Sequence, residues 1–326
     1  MEKDIIKDIY DEILPLYIRA GQNISEAIEI LMNEHKVSFL AISHRIKEFE
    51  SFFEKINRKK YKNPFEQNED FCGIRIVIYY IEDIPKIERI IETEFILKTK
   101  ESKEDILSVN EFGYRSYHYI FNLKESWLET PNFKGLKDIK IELQVRTALM
   151  HAWAEIEHKL GYKNKDQIPN ALKRKLSIVS AKLEEADNQF QETRNSAEDY
   201  KIKLIKQAET TGKFISTEFN IDTFQALLDF YFPGYVKHDH MLKSLYSTIN
   251  NQKIPIELLV EYAEKTKPFA EFINSNIYGG KNKKTTQSNL MSYSIESFSK
   301  NYDIKYCSES RKKLIVEIRK KAQIIE

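Results

Sequence analysis

An α/β fold, a mixed β-sheet flanked by helices and followed by a long helix and a mainly helical C-terminal region, is predicted by three observations. Runs rich in β-branched and aromatic residues, "FCGIRIVIYYI" (71–81), "FGYRSYHYIFNL" (112–123) and "IKIELQVRT" (139–147), read as strands. They alternate with stretches whose apolar residues recur at helical spacing, the pattern of helices packed around one sheet. Beyond Pro169 the strand signals stop.

Taken in order, residues 1–60 carry Ile5, Ile9, Ile13 and Leu14, then Phe39, Ile42, Ile46, Phe49 and Phe53, which predicts two or more helices. The run 71–81 is almost wholly apolar and suits a strand covered on both faces. "EDIPKIERIIETEF" reads as a turn and a helix returning to the sheet, and 98–111 as a polar segment before the second strand. Thr147 closes the third strand as a plausible N-cap. From Pro169, Leu172, Leu176, Val179, Leu183, Ala186, Phe190, Thr193, Ala197, Tyr200 and Leu204 recur in alternating steps of four and three, which predicts a long helix over 169–209. Its seam packs along its own core or pairs as a coiled coil. After "TTGKF" (210–214) the composition turns to Phe, Tyr and Lys, so the domains are drawn at 1–211 and 212–326, the latter a helical extension with a regulatory or self-inhibiting role as its hypothesis.

A chain of 326 residues with 41% hydrophobic content buries a sizeable core. Its 51 basic and 50 acidic residues leave a net charge of +1, which excludes a surface that is nucleic-acid footprint throughout but not a local basic cleft. Two cysteines, Cys72 and Cys307, are too few for a disulfide framework or a cysteine zinc site. "MEKDIIKDIY" lacks an apolar signal core, and no apolar run approaches the ~18 residues of a span. The expectation is a cytoplasmic protein with no membrane partner.

Chemistry enters with the third strand. A period of two puts Glu142, Gln144 and Arg146 on one face and Ile141, Leu143 and Val145 on the other. An ordinary half-exposed strand would look the same, until the other polar insertions are counted. Asp70 directly precedes an apolar strand, and Arg75 interrupts it where burial of an unpaired charge would cost several kcal/mol. Two carboxylates, Asp70 and Glu142, with arginines nearby suit a magnesium-nucleotide site: oxygen ligands for a hard cation, donors for phosphate. "HRIKEFESFFEKINRKKYK" (44–62) supplies Arg45, Lys47 and Lys55, either as a solvated face or as a triphosphate cradle. "GYRSYH" (113–118) offers Tyr114 as a stacking ring, with Arg115 and His118 as donors. His151, Glu155 and His158 share a helix face, but their order is not that of a zinc motif, and a hydrogen-bonded face is expected. "KHDH" (237–240) reads as a surface turn rather than a hydrolase metal pair.

Together "HRIK…FFEKINRKK", "DFCGIRIVIYY", "FGYRSYHYIF" and "IELQVRTALMHAWAEIEHKLGYK" resemble the synthetase domain of the RelA/SpoT family, the (p)ppGpp synthetases, over roughly residues 40–165, with the following helix to about 205. The resemblance implies a nucleotidyltransferase-like mixed sheet that moves the β,γ-pyrophosphate of ATP to the 3′-hydroxyl of GDP or GTP with Mg²⁺. It implies that Asp70 holds the metal and that Glu142 assists it or serves as base. Arg45, Lys47, Lys55 and Arg75 would contact ATP. Tyr114 would stack on guanine, with Arg115, His118, Gln144 and Arg146 on the acceptor side. The HD, TGS and ACT domains of long members have no counterpart, so a small alarmone synthetase with a C-terminal helical extension is expected. Small relatives of this kind are often homo-oligomers.

One departure matters: many alarmone makers carry Lys three residues before the Gly of the "GY" motif, where this chain has Asn110, leaving Lys100 or Lys103 to reach the acceptor's phosphate. The leading reading is a (p)ppGpp synthetase acting in the stringent response. A second is a toxin of the same fold that pyrophosphorylates the tRNA 3′ end, using "NRKKYK" (57–62) on RNA. A third is a catalytically inactive regulatory or binding module, which the joint presence of both carboxylates and the basic set disfavours.

Overall fold

A computed structural model describes residues 3–102, 116–160, 169–279, 283–299, 302 and 304–323. The chain divides into two compact units, Met1–Glu192 and Thr193–Glu326.

The first unit runs α1 (Lys3–Glu34), β1 (Phe39–Ile46), α2 (Phe49–Lys59), α3 (Pro64–Gln67), β2 (Cys72–Ile78), α4 (Ile84–Glu94), β3 (Phe95–Ser102), β4 (Tyr117–Leu123), α5 (Glu125–Leu128), β5 (Ile141–Thr147), α6 (Ala148–Lys159) and the start of α7 (Asn170–Thr211). Among the described residues five strands form one sheet, in the order β1-β2-β5-β4-β3. Only the central pair β2 and β5 is parallel; the other neighbours are antiparallel.

Alternation sorts each central strand into two faces. One face, with Ile74, Ile76, Ile78, Ile141, Leu143, Val145, Tyr119 and Phe121 all buried, meets Ala20, Ile24, Ile28 and Leu31 of α1 and Ile84, Ile87, Ile90 and Ile91 of α4 in one core. Helix α1 lies close enough here that a Cβ on Gly21 would stand 2.9 Å from a ring carbon of His44 and 3.3 Å from the sulfur of Cys72. Its N-terminal half, before Pro15, joins a second cluster in which Ile6 and Tyr10 pack with Phe49, Phe52 and Ile56 of α2 and with Phe71. The rings of Phe52 and Phe71 lie 4.5 Å apart. That contact fixes α2 against the start of β2.

Two expectations are corrected. Residues 39–46, read as helical, form edge strand β1, antiparallel to β2. A register shift between Phe39 and Ala41 leaves Phe39, Ile42 and Ile46 as the half-buried positions, so a bulged edge strand imitates helical spacing. The polar segment placed at 98–111 begins inside β3, whose lysines and Glu101 suit the other edge of the sheet, where charge discourages further pairing.

The long helix is present, but its first-unit contacts differ from the predicted apolar seam. Leu172, Val179 and Phe190 are exposed, whereas Ser180, Asp187 and Gln191 are buried. Thr147 Oγ1 donates to Asp187 Oδ2 at 2.6 Å, and the amide of Glu82 donates to Gln191 Oε1 at 3.2 Å. Helix α7 thus docks on its own unit largely through polar anchors.

The second unit holds α8 (Ile221–Tyr231), α9 (Asp239–Asn251), α10 (Ile256–Thr266), α11 (Ala270–Tyr278), α12 (Gln287–Phe298) and α13 (Glu309–Lys321) around their own core, which includes Phe224, Leu227, Phe232, Leu259, Ile273, Leu290 and Ile315. Ala208, Leu204 and Ile205 at the end of α7 belong to this core, so the units divide inside α7 and not near residue 212, where composition changes. His238 of "KHDH" is the N-cap of α9, its Nδ1 accepting from the Met241 amide. No described helix is long and apolar enough to cross a membrane.

Candidate active site

The sheet face opposite the α1–α4 core gathers most of the predicted residues. Paired residues on neighbouring strands point the same way, so the registers define two rungs: Arg45, Gly73, Glu142 and Ile120 across β1, β2, β5 and β4, then Ser43, Arg75, Gln144 and His118. A pocket of about 120 Å³ lined by Ser43, Arg45, Gly73, Arg75 and Gln144 opens on this face.

Along β5 the polar side chains form a continuous chain of hydrogen bonds. Arg146 Nη2 donates to Gln144 Oε1 at 2.8 Å, and Gln144 Nε2 donates to Glu142 Oε2 at 3.0 Å. The other carboxylate oxygen, Oε1, lies 3.0 Å from His118 Nδ1, and His118 Nε2 lies 2.6 Å from Ser116 Oγ. Burial pushes the Glu142 carboxyl up. The hydrogen bond and charge of His118, the bond from Gln144 and the charge of Arg45 outweigh burial and hold it below the usual carboxylate value. Glu142 is therefore an ionised carboxylate at neutral pH.

Asp70 sits just before β2, where its side chain meets two cations: Lys47 Nζ is 3.0 Å from Oδ2 and Lys55 Nζ 3.0 Å from Oδ1. All three side chains are largely buried. Lys47 comes from the turn after β1, fixed by its amide bonding to Phe71 O at 2.9 Å and by the Tyr10 hydroxyl donating to its carbonyl at 2.7 Å. Lys55 comes from α2, held in place by the Phe52–Phe71 contact. Asp70 Oδ1 is buried and lacks a partner in hydrogen-bond geometry, despite its closeness to Lys55.

Arg75 finds its counter-charge on α6, Nη1 donating to Glu155 Oε1 at 3.0 Å, and its buried Nε has no hydrogen-bond partner among the described residues. This is the hydrogen-bonded helix face expected for "HAWAEIEH", although its working member is Glu155. His151 lies 3.9 Å from Glu155. Burial and then the Arg75 charge hold its imidazole below the usual histidine value, and His158 is exposed.

Thus Arg45, Lys47, Lys55, Asp70, Arg75, His118, Glu142, Gln144 and Arg146 occupy the polar face or the entrance to β2. Tyr114 and Arg115 lie outside the described residues, as do Asn110 and Lys103. Lys100 does not join the site: it pairs in register with Tyr119, on the helix-covered face, and engages Glu88. Ser116 was missed by residue type. Its spacing of two from His118 was the available signal, since it puts both on one strand face.

A mixed five-stranded sheet with paired carboxylates and converging cations on its open face defines the class, and the comparisons with known proteins give the family. Residues 44–167 match the region found in RelA / SpoT proteins. GTP pyrophosphokinase YjbM of Bacillus subtilis (strain 168) is 30% identical over 159 residues, 48% of this chain and 73% of that protein. GTP pyrophosphokinase YwaC of the same organism is 28% identical over 179 residues, 52% of this chain and 82% of that one. The crystal structure of the small alarmone synthetase 1 from Bacillus subtilis superposes with a TM-score of 0.51 at 26% identity, covering 59% of this chain and 99% of that one. The chain belongs to the RelA/SpoT family.

Proposed function

We propose that this chain is a (p)ppGpp synthetase that transfers the β,γ-pyrophosphate of ATP to the 3′-hydroxyl of GDP or GTP, as a producer of the stringent-response signal. The observation that carries the reading is Glu142 held by His118 and Gln144 on a polar strand face that Arg45 shares, with the lysine-paired Asp70 at the start of the neighbouring strand. The chain spans 73% and 82% of two GTP pyrophosphokinases, which supports the same activity.

Pyrophosphoryl transfer is mostly a matter of placing phosphates in line and neutralising the charge that develops on them. Arg45, Lys47, Lys55 and Arg75 suit the triphosphate of ATP, the lysines being held ready by Asp70 and the arginine by Glu155. Gln144 and Arg146 follow Glu142 along β5, His118 meets it from β4, and the three suit the acceptor. Tyr114 and Arg115 join them on sequence grounds.

Asp70 and Glu142 fit a magnesium ion. Both offer carboxylate oxygens, and Asp70 Oδ1 is buried without a hydrogen bond. No group of three or more metal-ligating side chains gathers among the described residues, but magnesium is commonly held by one or two carboxylates together with substrate phosphates. When bound, it supplies charge neutralisation at the transferring phosphates. The role of Glu142 in this reading is to orient the acceptor hydroxyl and take its proton as the bond to phosphorus forms and AMP leaves.

The test offers GDP, GTP and deacylated tRNA separately to the purified protein with Mg²⁺ and γ-labelled ATP. Label is expected in guanine nucleotide and to be lost in Glu142→Gln. Label in tRNA alone, or in no acceptor, would refute the reading.

A further inference from the structure

We propose that Ser116 is a positioning residue for the transfer: its hydroxyl pins the His118 imidazole so that Nδ1–H stays on Glu142. The inference rests on the reading of Glu142 given above and adds a residue to it. Ser116 and His118 are nine-tenths or more buried, and both ring nitrogens have a partner, Ser116 Oγ at 2.6 Å and Glu142 Oε1 at 3.0 Å.

The hydrogens follow from the partners. An ionised carboxylate only accepts, so the nitrogen facing it, Nδ1, must carry the proton. In the neutral ring Nε2 is then an acceptor, and a hydroxyl is the group that meets it as donor while still being able to accept when the ring is charged. Glu142 has its second oxygen occupied by Gln144, itself held by Arg146. The carboxylate is therefore fixed from both sides, by β5 through Gln144 and by β4 through His118.

Without the Ser116 hydroxyl, Nε2 is left as a buried ring nitrogen with no partner whichever charge the ring carries, which costs more than the bond itself gained. The ring then gains by turning toward another donor, and Glu142 loses one of its two supports. Groups that orient the ligands of a metal site typically matter about 10- to 100-fold in affinity or activity, and Ser116 reaches Glu142 through the His118 ring.

The experiment is a mutant cycle on the full chain. Ser116→Ala is expected to lower kcat by about 10- to 100-fold, with KM for both nucleotides within about twofold. Ser116→Thr, which keeps the hydroxyl, is expected to restore most of the loss. In a His118→Ala background the same serine change is expected to cost nothing further, since it acts only through the ring. Independently of activity, the His118 Nδ1 proton is expected as a downfield nitrogen-attached resonance in the wild type and to shift or broaden in Ser116→Ala. Losses that add fully in the double variant, or an unchanged Nδ1 proton in Ser116→Ala, would overturn the proposal. A wild-type protein that transfers nothing would sink the functional reading instead, while the proton spectrum still decides whether Ser116 holds the ring.

Discussion

Glu142 shows how neighbours set the state of a single carboxylate. Burial alone would favour its protonated form, but His118, Gln144 and Arg45 reverse the balance. With a folded-state pKa below the unfolded value, its ionised form contributes stability above the unfolded pKa, and that contribution is lost as pH falls through the folded pKa. The acid limb of kcat due to this group is therefore expected on the acid side of the ordinary glutamate value, well below neutrality. Glu142→Gln should remove that limb and lower kcat by about 100-fold or more. A wild-type limb near neutrality that disappears in this variant would contradict the assignment. The identities of Asp70, Glu142, Gln144 and Arg146 were legible from strand alternation and from charges set against apolar runs. The partner of each was not, because Lys47, Lys55, His118 and Glu155 reach them from other elements.

Helix α2 illustrates how an element with no strand pairing of its own sets site geometry. Phe52 is fully buried against Phe71, and the same helix carries Lys55 to Asp70. Phe52→Ala is expected to destabilise the protein by about 3–5 kcal/mol, read from denaturant unfolding. Under conditions where the variant is folded, KM for ATP should rise, because Lys55 loses its fixed origin; unchanged KM would separate α2 from nucleotide binding. Strands β2 and β4 were readable from runs rich in β-branched and aromatic residues, and β5 and helix α7 because each keeps one period over several residues. Strand β1 was not, since a bulge breaks its period of two. Helix α7 was found by its apolar steps yet docks in the first unit through Asp187 and Gln191, a choice made by Thr147 and the Glu82 amide on distant segments.

At the scale of the whole molecule, two separate cores are built, one around the sheet and one among the C-terminal helices. Two cooperative transitions are expected by calorimetry, and Phe224→Ala, at a fully buried position of the second core, should lower one of them and leave the other in place. A single transition that moves as a whole would show that the units melt as one. By itself the sequence determined the class of fold, the length of the long helix and which charged residues are set against apolar runs, because local periodicity and misplaced charges are properties of short segments. Only the tertiary structure decided the strand order, the edge position of β1, the division inside α7 and the Ser116–His118–Glu142–Gln144–Arg146 chain. Those depend on which distant segments share a rung or a core, and pairing of that kind leaves no period in the chain.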